Sequence, residues 1–503
     1  MRDTFTNLTD DTLPIIQEHS CAIGEDFTGV WLSCVEMPSG KGRRSDPGNP
    51  SVFASTQQAG IGMLALNDEM KVHHESRADK NSIVLADRML ALPPGATYTA
   101  KWAIVPTART TLWSFVNKAR RMLDVNFTID TAFAFMMGNE PVVNWTDARF
   151  QSFIDFKSAN FIVQSIYGPP ESRYRGRNAY STAFAEIDHT YYRGFNKRLR
   201  RAFPDRRVRH GIYYHCFIDN YEGNDERFAA ARVLDSAGNH VNYGGRHTHD
   251  QIFLPTADND YGRETAKNIG IILDDIGADG IFWDEFCFSR VPFSYGHWDN
   301  YSADIDPKTF KVDRLKGSLA LLSKEWRKTQ VTRIQAHGTL VCSGAPHTGA
   351  LAATKYTAFC ETGSITYCRG MLLWTPLGLG DHVTERTQRD AFRQMRRQLD
   401  HGCLYAWYAT RIIPTRKTLT EHMFPFTPVS LNAGVLIGDE RILTNRSGLL
   451  GWGDDSHFDA RVYDADGRET TAIRVPRLVR DGKAYAEVRI PEGYAAAIVR
   501  RPQ

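Results

Sequence analysis

The stretch GADGIFWDEFCFS, residues 277–289, joins the features of a buried strand to two adjacent acids. An apolar run that begins after Gly280 ends in Asp284 and Glu285. A short apolar run preceded by turn residues is typical of a strand inside a core. The two carboxylates therefore lie where this strand leaves the core, which makes them the first candidates for chemistry.

Seven further runs along the chain have the same strand character, and helical patterns such as DARFQSFIDFKSA and RTQRDAFRQMRRQLDHG lie between most of them. Eight strands that alternate with helices predict a (β/α)8 barrel of the α/β class, which we place at residues 111–420. The weakest link is SITYCRG, residues 364–370, which leaves no room for a helix. In chain order the eight runs are NFTIDTAFAFM (126–136), NFIVQSIYG (160–168), HGIYYHCFI (210–218), DGIFWDEF (279–286), TLVCSGAP (339–346), TAFCETGS (357–364), MLLWTPLG (371–378) and CLYAWYA (403–409).

Both ends of the chain have a different pattern, in which short β-branched and apolar runs are separated by Gly, Pro, Asn and Asp. This pattern is typical of antiparallel strands. We expect residues 1–110 to form an N-terminal β-sandwich or part of one, and residues 421–503 to form a C-terminal β-sandwich.

The composition is that of an ordinary globular protein. The 503 residues are 42% hydrophobic and 24% charged, with a formal net charge of +3. This balance argues against a nucleic-acid partner or a membrane-surface partner. The start of the chain lacks the pattern of a secretory signal, and no apolar run is long enough to span a membrane. We therefore expect a soluble protein, either cytoplasmic or secreted with its signal removed.

Motifs for metals and cofactors are absent from the sequence. The eight cysteines form no CxxC pair, the first strand has no HxH, and no Gly-rich phosphate loop is convincing. The acids of the loop 289–309 resemble a calcium-binding loop only superficially, because they lack the accompanying Gly and terminal Glu of an EF-hand. We expect no metal and no cofactor, and we expect mostly reduced cysteines inside the core.

The ends of the predicted strands supply the catalytic candidates, because barrel enzymes hold their reacting groups at that face. Asp284 and Glu285 end the fourth strand, and Glu361 lies in the sixth. Alternation of side chains puts Asp284 on the face of Phe282, which favours Asp284 over Glu285 as the group that points into the barrel mouth. Two carboxylates across such a mouth can cleave a glycosidic bond.

Aromatic and histidine side chains near the same strand ends are the candidates for binding substrate. Sugar rings pack on aromatic faces, although each aromatic residue taken singly is more often part of a core. The loop that follows the fourth strand should hang over the mouth and adds one histidine. The candidates are Tyr213, His215, Trp283, His297, His347, Trp374 and Tyr408.

With these residues in view, the chain resembles the bacterial glycoside hydrolases that place a (β/α)8 catalytic barrel between N- and C-terminal β-sandwich domains. The resemblance covers the whole layout, and its motifs are DGIFWDEF and AFCETG. It implies a retaining α-glycosidase that acts on an oligo- or polysaccharide. Asp284 matches the nucleophile of such barrels and Glu361 matches the acid/base.

Two alternatives stay open. In retaining β-glycosidase barrels the acid/base ends the fourth strand, a position that Glu285 would fill, but the seventh strand MLLWTPLG has no Glu for the nucleophile. A non-catalytic carbohydrate-binding protein of the same fold would keep the aromatic residues without needing both acids. The identity of the sugar, the linkage and the oligomeric state are left open by the sequence.

Overall fold

A computed structural model describes residues 1–24, 27–79, 81–136, 145–166, 178–205, 207–245, 247–361, 364–381, 383–408 and 411–502. The chain forms two compact units, each built from several segments. The first unit contains Met1–Ala119, Ile166–Tyr191 and Tyr213–Tyr356. The second unit contains Arg120–Ser165, Tyr192–Ile212 and Thr357–Gln503.

The start of the first unit consists of two antiparallel sheets that share one hydrophobic core. Buried Val30, Met63, Leu85 and Trp102 belong to this core, because alternate residues of each strand point into it. In sheet order the six-stranded sheet contains Arg2–Thr6, Thr97–Thr107, Gly60–Ala65, Ser51–Ser55, Gly29–Leu32 and Val35–Glu36. The four-stranded sheet contains Leu13–Ala22, Ser82–Leu92, His74–Ala78 and Gly42–Arg44.

All eight predicted parallel strands are present, each shorter than its apolar run. Residues 167 and 168 of the second run, 362 and 363 of the sixth and 409 of the eighth lie outside the described residues. We label the strands β1 (Phe133–Phe135), β2 (Phe161–Gln164), β3 (Arg209–Tyr214), β4 (Gly280–Trp283), β5 (Thr339–Ser343), β6 (Thr357–Phe359), β7 (Leu377–Leu379) and β8 (Leu404–Ala406).

In the second unit, the parallel strands follow the order β6, β7, β8, β1, β2 and the start of β3. Ladders join β7 to β8, β1 to β2 and β2 to β3. Single parallel bridges, Cys360 with Gly378 and Ala134 with Trp407, join β6 to β7 and β8 to β1. Six strands are thus neighbours in an order that places β8, the last of the eight labelled strands, beside β1.

In the first unit, β4 pairs in parallel with β5 along its whole length, with Gly280 opposite Thr339 and Trp283 opposite Cys342. The backbone N–H of Asp284 donates to the carbonyl of Tyr214 at the end of β3, at 3.0 Å. The Asp284 backbone is therefore held where β4 ends beside β3.

Helices form at the two patterns quoted from the sequence, as Asp147–Lys157 and Gln388–Asp400, and at further segments of both units. The first unit contains Asp68–His73, Leu112–Met122 up to its boundary at Ala119, Asn224–Arg227, Asp260–Gly270 with the π-helical turn Ile271–Asp275, Leu319–Leu322, Lys324–His337 and Gly349–Ala352. The second unit contains Asp147–Lys157, most of Thr190–Ala202, Ile365–Met371 and Gln388–Asp400.

The segment between the sixth and seventh strands differs from the sequence prediction. Residues 365–371 form a helix that begins at the N-cap Ser364, whose hydroxyl accepts a hydrogen bond from the backbone of Tyr367. The strand β7 begins only at Leu377, so Trp374 precedes the strand instead of belonging to it. The apolar run 371–378 misled the prediction because periodicity cannot separate a short buried helix end from a strand.

The long segment between β4 and β5 forms two small hairpins, Phe293–Ser294 with Gly317–Ser318 and Ala303–Ile305 with Val312–Leu315. It returns to the N-terminal sheets, where Ser302 bridges Leu90 and the backbone N–H of Ala91 donates to Tyr301 at 2.8 Å. The segment that follows the two acids is therefore anchored on the antiparallel sheets of the same unit.

The end of the second unit is again antiparallel. Buried Ile442, Val462, Ala486 and Ile498 belong to the core that its two sheets share. The six-stranded sheet contains Pro428–Asn432, Val435–Gly438, Arg441–Thr444, Ala495–Arg500, Phe458–Tyr463 and Glu469–Thr470. The three-stranded sheet contains Gly448–Leu450, Lys483–Val488 and Arg477–Arg480. Among the described residues, no helix has the length and apolar character needed to cross a bilayer.

Candidate active site

Asp284 and Glu285 directly follow β4, whose four residues are all buried. Gly280 lets β4 lie close to its neighbour, since a Cβ there would come within 2.0 Å of the carbonyl oxygen of Thr339. The strand ends because Glu285 turns into the left-handed region, with φ of 44°. Such a conformation is uncommon outside glycine, and in folded proteins it clusters at functional sites.

The carboxylate of Asp284 lies against the end of β3. The hydroxyl of Tyr213 donates to Oδ2, and the backbone N–H of Glu285 donates to Oδ1 at 2.9 Å. Tyr213 also stacks on Phe282, with ring centroids 5.8 Å apart. The alternation predicted from the sequence, with Phe282 and Asp284 on one face, agrees with this arrangement.

Burial raises the pKa of Asp284, and the negative charge of Glu285 raises it further. The neighbouring His215 and, to a smaller extent, the hydrogen bond from Tyr213 act to lower the pKa, but they do not cancel the rise. Because both effects disfavour the charged form, Asp284 holds its proton to a higher pH than an ordinary aspartate does.

The carboxylate of Glu285 is surrounded by donors. The Nε2 of His215 lies 3.2 Å from Oε2, the hydroxyl of Tyr243 donates to Oε1 at 2.7 Å, and the hydroxyl of Ser289 donates to Oε2. Burial alone would raise the pKa of Glu285, but the hydrogen bonds from these groups outweigh burial and lower the pKa. Two neighbouring carboxyls therefore have pKa values shifted in opposite directions, a pattern that favours distinct acid–base roles.

A second ring of polar groups lies behind the pair. Tyr180 meets the ring of His215 edge-on, with centroids 5.7 Å apart, and its hydroxyl accepts from Asn178 at 2.6 Å. Burial raises the pKa of Tyr180, and the charges of Asp250, Asp284 and Glu285 add to the rise.

The phenols of Tyr213 and Tyr243 likewise have raised pKa values, chiefly through burial. These phenols therefore remain hydrogen-bond donors at neutral pH.

Glu361 belongs to the second unit. It follows β6 and Cys360, and its side chain is exposed. The strand β6 ends at Phe359, so Glu361 lies beyond the strand in which the sequence prediction placed it.

Tyr213 and His215 are the predicted substrate-binding residues that contact the acids directly. Trp283 is fully buried on the opposite face of β4, where it packs edge-on against Tyr214, Phe286 and Trp326. A side chain in that position packs against the helix side of the strand.

The two predicted loop histidines have other contacts. The Nε2 of His297 lies 2.9 Å from the carbonyl of Ala230. His347 packs against Phe288, at 5.9 Å between ring centroids, and hydrogen bonds to the thiol of Cys287. The positive charges of His347 and Arg327 outweigh burial and lower the pKa of Cys287 to about 6.

The remaining two predicted residues lie in the second unit. Trp374 is buried before β7 and packs on Phe127, with ring centroids 5.7 Å apart. Tyr408 follows β8 and meets Phe135 edge-on at 5.1 Å. Tyr408 is therefore at the carboxyl end of its strand, as predicted, whereas Trp374 is at the other end.

Sequence reasoning missed Tyr180, Tyr243 and Ser289. Tyr180 and Tyr243 lie on segments far from the strand pattern, and no spacing connects them to Glu285. Ser289 stood inside the opening stretch, and its position four residues after Glu285 was the one available signal.

No group of three or more His, Cys, Asp or Glu side chains in the described part of the chain is arranged to hold a metal ion. The acids of the loop that resembled a calcium site have protein partners. Asp299 accepts from Ser302 and from the backbone of Ser318, and Asp304 accepts from Lys316 and Tyr295. These acids hold the loop together.

No protein-family model matches the chain, and no curated protein sequence matches it at a significant level. Several solved structures share its fold. A GH36 α-galactosidase from Geobacillus stearothermophilus, AgaA, solved with stachyose, aligns with a TM-score of 0.53 and 8% identity over 99% of this chain and 79% of that one. AgaB from the same organism gives 0.51 and 10% over 99% and 76%. A family 31 α-glucosidase from Bacteroides thetaiotaomicron gives 0.50 and 9% over 87% and 82%.

These identities are low, so the likeness establishes the fold. The chain has the mixed helix-and-sheet fold of TIM-barrel glycoside hydrolases.

Proposed function

We propose that this protein is a retaining α-glycosidase that acts on an oligo- or polysaccharide, with Asp284 as nucleophile and Glu361 as acid/base. The observation that carries the proposal is the pair Asp284–Glu285 at the end of β4, with opposite pKa shifts, in a fold shared with α-galactosidases and an α-glucosidase. The similar solved structures support only the class of substrate, which is a carbohydrate with an α-linkage.

We also propose that β1 to β8 close into one (β/α)8 barrel within residues 111–420, between β-sandwich domains at 1–110 and 421–503. The parallel neighbours found within each unit support this, because they account for every adjacent pair of such a barrel except β5 with β6. An experimental structure in which β5 and β6 are not neighbours would contradict the closed barrel.

In this mechanism Asp284 attacks the anomeric carbon and forms a covalent glycosyl–enzyme intermediate. The raised pKa of Asp284 means that its carboxylate is more basic than an ordinary aspartate, and it must lose its proton before it attacks. Tyr213 donates to Oδ2 and orients the carboxylate toward the sugar. Water then releases the sugar, and two inversions give net retention.

Glu361 protonates the departing glycosidic oxygen and later takes a proton from the attacking water. Its side chain is exposed in the structure. A bound sugar would cover it and favour the protonated form, because burial disfavours the charged carboxylate.

Glu285 is the alternative for either catalytic role. Its hydrogen-bond partners make it a poor proton donor. Three hydrogen bonds stabilise its charged form, so Glu285 loses its proton early. In the β-glycosidase alternative Glu285 would have to hold a proton for the leaving group, which the lowered pKa opposes. A fixed negative charge beside the anomeric carbon instead stabilises the positive charge that develops there.

The test is hydrolysis of aryl α- and β-glycosides of galactose and glucose, with the anomer of the first product followed by NMR. We expect activity on an α-glycoside with retention of configuration. Asp284→Asn should lower kcat/KM by several powers of ten on every substrate. Glu361→Gln should slow substrates with poor leaving groups far more than activated aryl glycosides.

Other outcomes identify the alternatives. Activity on β-glycosides that is lost in Glu285→Gln and kept in Asp284→Asn would establish the β-glycosidase. Binding of oligosaccharides without hydrolysis of any aryl glycoside would indicate a non-catalytic carbohydrate-binding protein.

A further inference from the structure

His215 is placed to control the charge of the carboxyl pair. It is 1% exposed, and both of its ring nitrogens have partners. The backbone N–H groups of Phe217 and Ile218 both lie 3.2 Å from Nδ1. The Nε2 lies 3.2 Å from Oε2 of Glu285.

The two backbone donors decide which nitrogen of His215 carries the proton. A backbone N–H can only donate, so Nδ1 must offer its lone pair to Phe217 and Ile218. The ring proton therefore resides on Nε2 and is donated to Glu285. The two N–H groups at Nδ1 offer no acceptor to a proton on that nitrogen.

We propose that His215 is a positioning residue that places the negative charge of the pair on Glu285 and leaves the proton of the pair on Asp284. The effect of His215 on activity rests on the proposed glycosidase function, whereas its effect on the ionisation of the two carboxyls does not. The order in which the two carboxyls ionise is a property of the folded protein, and it can be measured without substrate.

The other groups around the pair are consistent with this order. Oε1 of Glu285 receives the hydroxyl of Tyr243, and Oε2 also receives the hydroxyl of Ser289. Asp284 receives the hydroxyl of Tyr213 and one backbone N–H. Among the described residues, the titratable side chains that hydrogen bond to the pair are His215, Tyr213 and Tyr243. Tyr180 lies close enough for the charges of both acids to raise its pKa, and Asp250 also acts on Tyr180. None of these named groups donates a charged hydrogen bond to Asp284.

Two substitutions at position 215 separate the two nitrogens. His215→Asn keeps an acceptor near Nδ1 for the backbone donors and removes the donor to Glu285. His215→Gln reaches farther and keeps a donor near Nε2. A residue with a purely structural role would respond to both changes in the same way.

The experiment is a pH titration of the protonated-carboxyl band by infrared difference spectroscopy of the full chain. Bands lost in Asp284→Asn and in Glu285→Gln assign the two carboxyls. We expect Glu285 to ionise at a lower pH than Asp284. His215→Asn should move the midpoint of Glu285 up by about one pH unit, whereas His215→Gln should leave it unchanged.

Two further variants keep the test decisive if His215→Asn does not fold. Tyr243→Phe removes one donor and should also raise the midpoint of Glu285. Glu285→Gln removes the like charge and should lower the midpoint of Asp284 by about one pH unit. Asp284 ionising before Glu285, or equal midpoints in the two His215 variants, would overturn the proposal.

Activity then tests the link to the proposed function. If Asp284 is the nucleophile, the acidic limb of kcat/KM should coincide with the infrared midpoint of Asp284. An infrared order as expected with an acidic limb that does not follow Asp284 would leave this inference standing and remove the proposed role of Asp284.

Discussion

The buried ionisable side chains His73 and Glu385 differ in their hydrogen-bond partners, which include a charged group for His73 and are neutral for Glu385. The Nδ1 of His73 lies 3.1 Å from Oδ2 of Asp87, and Nε2 lies 2.7 Å from the hydroxyl of Ser302. Glu385 accepts from the hydroxyl of Tyr405 at 2.6 Å and from the backbone N–H of Asp381 at 2.8 Å. An opposite charge beside His73 favours its charged form, whereas the neutral donors to Glu385 offset only part of the cost of burying its charge.

The His73–Asp87 pair should make stability depend on pH. Burial acts to lower the pKa of His73, but Asp87 and the charge of Asp299 outweigh it, against the opposing charge of Lys316, and raise the pKa above 6.5. The charged histidine therefore stabilises the fold fully below pH 6.5, and this contribution is lost as pH rises through the raised pKa. Asp87→Asn should destabilise the protein by about 3 kcal/mol at pH 6 and by less at high pH.

Urea unfolding of the wild type and of Asp87→Asn across pH 6 to 9 measures this difference. Ser302→Ala removes a neutral partner and should retain the pH dependence. A constant difference between wild type and Asp87→Asn at every pH would show that the pair is uncharged.

Glu385 should also make stability fall as pH rises, over a lower pH range. Burial raises its pKa from 4.5 to about 7, so the unfolded chain releases the proton first as pH rises. Stability should therefore fall between about pH 4.5 and 7, by about 3 kcal/mol in total. Glu385→Gln, which has no charge to bury, should remove this fall and be more stable than the wild type at pH 8.

Denaturant midpoints between pH 4.5 and 8 test the effect, with the surface residue Glu421 changed to Gln as control. Parallel curves for wild type and Glu385→Gln would contradict the raised pKa.

At the scale of strands and helices, apolar runs predicted which segments form strands but not their ends. The run 279–286 yielded β4 at Gly280–Trp283, and the run 126–136 yielded only Phe133–Phe135. Strand ends depend on which backbone groups find partners on neighbouring strands, and that information lies elsewhere in the chain. The helix 365–371 was missed for a different reason, because a seven-residue helix contains too few turns for its periodicity to be recognised.

Two glycines allow a matched test of backbone crowding. A Cβ at Gly280 in β4 would lie 2.0 Å from a backbone oxygen, whereas a Cβ at Gly194, within the helix Thr190–Ala202, would meet nothing within 4 Å. Gly280→Ala should destabilise by about 2 kcal/mol or more, because backbone atoms cannot move aside cheaply. Gly194→Ala should stabilise by about 0.5–1 kcal/mol through higher helix propensity.

Chemical denaturation of the two variants measures both changes. Equal effects of the two substitutions would mean that β4 and β5 separate easily, against the close pairing described above.

At the scale of the whole molecule, layout was more predictable than the site. Strand-rich ends and a strand–helix alternation between them follow from local patterns that sequence displays directly. The site depends on contacts such as Tyr243 with Glu285 and Tyr213 with Asp284, which join segments 42 and 71 residues apart. No local pattern encodes such contacts, so the sequence could suggest Tyr213 and His215 from their strand but gave no reason to choose Tyr243 or Ser289.

The eight cysteines provide a test of packing throughout the chain. Seven are buried, and Cys21 alone is partly exposed. Cys287 has a lowered pKa, but its residue is only 5% exposed, and a thiolate reacts only when a reagent reaches it. We expect one rapidly reacting thiol with Ellman's reagent in the native protein, absent in Cys21→Ser, and eight in denaturant.

A second fast thiol that disappears in Cys287→Ser would reveal access to the interior near the acids. Fewer than eight thiols in denaturant without reductant would indicate that some cysteines are oxidised.

The hydrogen bonds that join the segment after β4 to the N-terminal sheets limit how this chain can be recombined. Exchange of loops between related enzymes succeeds most readily when a loop contacts nothing but its own ends. Here Ser302 and Tyr301, in the loop that follows the acids, make backbone contacts with the strand Ser82–Leu92. A chimera that imports this loop without its matching sheet would lose these backbone contacts, so the loop and the sheet should be exchanged together.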